Sequence, residues 1–147
     1  MPIFVTVYLQ LGLSRWRIEF SSAKFAPYLP EEVQQNPGAY GFELAHWLSL
    51  QLAKRGIVTG YPLGEDWGWF IEYLEGETEV MIGCNSEASE GEGYTGKPIA
   101  WRVFVRQPRS LSQRLKGVKP SPKVEELARA VASVIETEGI DVRLTEA

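Results

Sequence analysis

The stretch WGWFIEYLEGETEVMIGC, residues 67–84, carries two alternating runs joined by a short polar connection. In its first half Trp69, Ile71 and Tyr73 share one parity and Phe70 and Glu72 the other; in its second half Val80, Ile82 and Cys84 share one and Glu79 and Met81 the other. Successive side chains on a strand point to opposite faces, so this period of two predicts half-buried strands from Trp67 to Leu74 and from Glu79 to Cys84. Glu75, Gly76 and Glu77 make a connection short enough for a hairpin. The expectation is an antiparallel pair with one apolar and one mixed face.

The same rhythm recurs outward. From Ile99 to Arg106, Trp101, Val103 and Val105 alternate with Arg102, Phe104 and Arg106. Trp16, Ile18 and Phe20 alternate with Arg15, Arg17 and Glu19, and Ile140, Val142 and Leu144 with Asp141 and Arg143. Ile3 to Gln10 reads as a further strand, broken by Gly12 and paired in a hairpin with the run to Phe20; Ile57 to Thr59 is expected to begin another. Between Tyr40 and Arg55 the period changes: Leu44, Ala45, Leu48 and Leu52 share one side of a helix that Gly56 stops. A second helix has Ser121 as its cap, Pro122 at its first position and Gly139 after its last turn, with a buried stripe of Val124, Leu127, Ala128, Val131 and Ile135. The prolines at 27, 30 and 37 make residues 21–38 a loop, with one helical turn from Glu31 to Gln35.

Strands before, between and after two helices predict an α+β fold: a two-layer sandwich whose largely antiparallel sheet of about six strands has two main helices packed on one face. A length of 147 residues fits a single α+β domain spanning 1–147. The net charge of −4 argues against nucleic acid, which needs a basic surface to displace counterions from phosphates. The one cysteine rules out an internal disulfide and fits a cytoplasmic location, and the apolar N-terminal run is too short to span a bilayer, so no membrane partner is expected.

Charge is segregated along the chain. Residues 65–92 hold nine acidic and no basic side chains, whereas residues 97–123 hold eight basic and no acidic ones. Such blocks attract each other on folding or face partners of opposite sign. The basic segment from Arg106 to Lys123, with a short helix near Leu111 to Leu115, carries no aromatic residue on which a base could stack, which speaks against nucleic acid a second time.

The motifs that resemble catalytic or cofactor signatures fail on context. Gly91 to Gly96 spells the glycine spacing of a dinucleotide fingerprint, but Pro98 and a strand pattern follow it, and Glu87, Glu90 and Glu92 would repel a pyrophosphate. His46 lies three residues after Glu43, half of a metal site at best, and the chain has no second histidine. Cys84 shares the parity of Val80 and Ile82 and reads as a small buried hydrophobe with no basic neighbour to make a thiolate. No cofactor and no catalytic pairing are expected.

What remains is the mixed face. Phe70, Glu72, Glu79, Met81, Arg102, Phe104 and Arg106 are expected to point away from the helices, joined by Arg15, Arg17 and Glu19. An apolar centre ringed by arginine and glutamate suits a ligand groove or an interface. The string Glu65 to Phe70 adds Asp66, and in a strand Trp67 and Trp69 are expected on one face with the bare Gly68 between them. The candidate binding residues are therefore Asp66, Trp67, Trp69, Phe70, Glu72, Met81, Arg102, Phe104 and Arg106. The function expected is that of a non-catalytic binding or protein-interaction domain, with a protein partner or a second copy in a homodimer. The alternative is a sensor for a small-molecule ligand, or a small enzyme, with a pocket between sheet and helices.

Overall fold

The computed structural model describes residues 15–35, 39–86, 94–108, 116–117 and 121–146. Among the described residues six strands form one antiparallel sheet: β1 (Trp16–Ser22), β2 (Leu63–Glu65), β3 (Gly68–Glu75), β4 (Thr78–Ser86), β5 (Ile99–Arg106) and β6 (Arg143–Glu146). Their spatial order is β2-β3-β4-β5-β1-β6. Two helices, α1 (Phe42–Lys54) and α2 (Lys123–Glu136), cover one face, which makes the chain an α+β structure. The N-terminal run from Ile3 to Gln10, residues 91–93 of the glycine fingerprint and the short helix near Leu111 lie outside the described residues.

The central hairpin forms as its alternation requires. Gly76 has φ +59°, a left-handed conformation that L side chains rarely adopt, and it closes β3 onto β4 with Trp69 opposite Cys84, Ile71 opposite Ile82 and Glu75 opposite Thr78. Of the inward residues of β4 and β5, Val80, Ile82, Cys84, Trp101, Val103 and Val105 are fully buried. Burying each such side chain contributes about 1.5–3 kcal/mol for the larger aliphatics, which is why the pattern fixes the register.

The expected strand beginning at Ile57 is displaced. Residues 57–62 are irregular, and pairing begins only at Leu63, opposite Phe70. Pro62 has no N–H to give to a ladder, and the Gly60 N–H donates to the Glu72 carbonyl at 2.9 Å, so the chain touches β3 without running as a strand. β2 is consequently a short edge.

Both helices end as their glycines imply: the Ile57 N–H donates to the Leu52 carbonyl at 2.9 Å past Gly56, and Gly139 takes φ +77° after α2. At the start of α2 the Lys123 N–H donates to Ser121 Oγ at 3.1 Å. The stripe Val124, Leu127, Ala128, Val131 and Ile135 is buried, facing Leu44, Leu48 and Leu52 of α1 and the inner sheet residues in one core. Glu43, in the first turn of α1, is only 5% exposed. Its Oε2 accepts the N–H groups of Tyr28 at 3.1 Å and Leu29 at 3.0 Å, which ties the loop before the short 3-10 turn (Glu31–Val33) to the helix. No helix among the described residues is long and apolar enough to cross a membrane.

Cys84 sits in the centre of this core with no exposed surface, and burial pushes its thiol well above the usual range. The thiolate is the reacting species, so folded protein at pH 8 is expected to alkylate with iodoacetamide on the order of a hundredfold more slowly than a free thiol, and urea should abolish the difference. Rapid labelling under native conditions would place Cys84 elsewhere.

Candidate functional site

The sheet face opposite the helices is built in levels by the strand register. One level carries Glu72, Met81 and Arg106 across β3, β4 and β5. The next carries Leu63, Phe70, Gly83, Phe104, Arg17 and Thr145, from β2 through to β6. A third carries Asn85, Arg102, Glu19 and Arg143. Gly83 is the only position in the middle level with no side chain, and the Phe104 ring occupies the space its Cβ would need.

Trp67 closes the cluster, and here the sequence expectation is corrected. β3 starts at Gly68, so Asp66 and Trp67 form the turn from β2 into β3 rather than part of a strand. The Trp67 indole folds onto the outer face, its ring centre 4.9 Å from that of Phe104 and 6.3 Å from that of Phe70. Trp69 points the other way, edge-on to Phe42 of α1 at 5.2 Å, and packs against the core. The two tryptophans therefore do not flank a common surface. The cause is Gly68: its φ of +154° turns the chain where a strand would have kept parity.

The result is a cleft of about 370 Å³ lined by Arg15, Arg17, Trp67, Asn85, Arg102, Phe104 and Arg106. Four guanidinium groups meet an indole and a phenyl wall. Glu19 Oε1 accepts Arg143 Nη2 at 3.1 Å and stands 3.9 Å from Arg17 Nη1, so one carboxylate serves two arginines. No ion pair joins Arg15 or Arg106 to another described residue. Asn85 Oδ1 is buried without a hydrogen-bond partner among the described residues. Guanidinium forks match carboxylate and phosphate oxygens in geometry and cannot be discharged, and an aromatic wall lowers the local polarity in which they act. Chemically, such a lining can hold an anion.

The acidic residues lie across the sheet from it. Glu72 hydrogen-bonds the Glu79 carboxyl, which together with partial burial and mutual repulsion holds the Glu72 carboxyl above the ordinary carboxylate range. At the far end of the hairpin Glu75 accepts the Tyr73 hydroxyl at 2.6 Å and lies 3.5 Å from Lys123 Nζ; those two partners hold its carboxyl below that range.

Of the candidate residues, Trp67, Arg102, Phe104 and Arg106 converge on the cleft, with Asp66 in the adjoining turn. Phe70 is nearly buried beneath Trp67, while Glu72 and Met81 lie on the same face beyond the cleft. Asn85 and Gly83 escaped the sequence reading, although the parity of Met81 extended by two and by four residues points to both. His46 is stacked on Phe42 at 5.9 Å, by a hollow of about 230 Å³ shared with Lys24, Tyr28 and Trp47. Glu43, its expected companion, is committed to the 28–29 amides. Among the described residues no group of three or more His, Cys, Asp or Glu is placed to hold a metal. Compared with protein-family models, curated proteins and solved structures, the chain matches none.

Proposed function

We propose that this chain is a non-catalytic binding domain that captures an anionic partner, of carboxylate character, in the arginine cleft of its open sheet face. The observation that carries the reading is the convergence of Arg15, Arg17, Arg102 and Arg106 beside Trp67 and Phe104, on a face whose opposite side is fully committed to the core. Trp67, packed on Phe104 and Phe70 but still half-exposed, sets an apolar wall beside the guanidinium groups. Glu19 pairs with Arg17 and Arg143, whereas no ion pair joins Arg15 or Arg106 to another described residue. An acidic segment supplies that missing charge, while its aliphatic stems pack on Trp67.

The test is fluorescence anisotropy of a labelled hexaglutamate peptide, with hexalysine and a neutral peptide as controls. Binding is expected for hexaglutamate only, weakening as salt rises because exposed charges are screened over a Debye length of about 10 Å at 0.1 M. Exchanging Arg15 and Arg106 together for serine should weaken it about tenfold or more, with the fold intact because both side chains are exposed. Equal binding of the neutral and acidic peptides would overturn the proposal.

A further inference from the structure

We propose that the anionic partner is a second copy of this chain, docked face to face about a two-fold axis parallel to β4; the inference rests on the reading of the outer face as an anion-binding surface. A two-fold contact requires one patch to be complementary to itself. The outer face meets that requirement because its chemistry divides at β4. On the β2 and β3 side stand Glu65 and Glu72 with Leu63 and Leu74, which are 48% and 66% exposed. On the β5 and β1 side stand Arg106, Arg102, Arg17 and Arg15.

The direction of the axis follows from charge. An axis running across the strands would lay β3 on β3 and β5 on β5, acid against acid and arginine against arginine. An axis along β4 lays β3 of one copy on β5 of the other without changing level. Glu72 and Arg106 share a level through Met81. Glu72 of each copy then meets Arg106 of the other, and the contact is made twice. By the same operation β2 covers β1, so Leu63 rests on the stem of Arg17, a level they share through Phe70, Gly83 and Phe104. Glu65 comes toward Glu19, whose charge Arg143 and Arg17 already match. Packed sheets are rotated by about 30°. β3 and β5 lie only about 4.8 Å from the axis, so that rotation moves them little.

The test is a charge exchange read by sedimentation velocity from about 5 µM to about 500 µM protein, with circular dichroism confirming that each variant is folded. Wild type should pass from monomer to dimer. Arg106→Glu and Glu72→Arg should each raise the dissociation constant about tenfold or more, because each turns both contacts into like-charge pairs. Mixing these two variants should restore association as a heterodimer, and the double variant E72R/R106E should dimerise alone. Folded wild type that stays monomeric throughout, or single variants that do not associate when mixed, would overturn the proposal. The hexaglutamate assay separates the two ideas: a monomer that still binds the peptide removes the dimer and leaves the anion site standing, whereas a monomer that ignores it removes both.

Discussion

Replacing Trp101 by alanine is expected to cost about 3–5 kcal/mol of stability, the largest single loss available in this fold. Trp101 is the largest fully buried side chain among the described residues, and it lies on β5 opposite Phe20 of β1, directly beneath the helices. Removing an indole there both forfeits its transfer free energy and leaves a cavity that neighbouring strands, locked by their ladders, cannot close. With a urea dependence of about 1–3 kcal/mol per molar, the midpoint should fall by more than about 1 M without a change of slope. Trp101→Phe is expected to lose much less. The Trp101 indole N–H is buried with no acceptor among the described residues, so part of what the ring contributes is already offset by that donor, and phenylalanine keeps the hydrocarbon while removing the donor. A Trp101→Ala loss below about 1 kcal/mol would contradict the placement of this residue at the centre of the core.

That placement was legible in the sequence because parity is a local property. Once Val103 and Val105 are assigned inward, Trp101 must follow them, and Arg102, Phe104 and Arg106 must face outward, with no knowledge of which strand lies alongside. The stripe of α2 was legible for the same reason, as was the stop at Gly139. The charge segregation needed one step more. The acids of β3 and β4 and the arginines of β5 are separate along the chain, and since consecutive antiparallel strands lie side by side, separation in sequence becomes separation across the sheet. A self-complementary face is the natural outcome when a hairpin of one sign is followed by a strand of the other.

Other features are not local and could not be read in advance. The level that joins Leu63 to Thr145 is fixed by six strands in register, with Gly83 making room for Phe104; no window of residues contains that information. The start of β2 depends on Pro62 as much as on the apolar residues around it. Trp67 is the instructive error. Its parity with Trp69 predicts a shared face, but parity holds only while the strand is continuous, and a glycine with positive φ cancels it. Gly68, a bare position between two tryptophans in the sequence, is the point at which the chain changes face.

Gly68→Ala is therefore expected to damage fold and site together. At φ +154° an alanine is strained whatever the space around it, and its Cβ would stand 2.5 Å from the Cys84 carbonyl oxygen and 3.0 Å from Asn85 Cβ. Strain of this kind costs about 1–3 kcal/mol, and the overlap with backbone that is itself paired in the sheet adds to it, so a total of about 2–4 kcal/mol is expected. The readout that matters is how the loss is distributed. β2 is a short edge held through this turn, so the chain can relieve the strain by releasing residues 63–67 rather than by opening the core. Released, Trp67 leaves Phe104 and Phe70, its emission shifts to longer wavelength, and the cleft loses a wall. Trp67→Ala supplies the comparison, since it removes the wall without straining the turn: hexaglutamate affinity should fall in both variants, whereas the large loss of stability should appear only in Gly68→Ala. If Gly68→Ala is as stable as wild type and keeps its peptide affinity, the turn does not hold Trp67 against the sheet, and the aromatic wall of the arginine cleft is lost as an argument for binding.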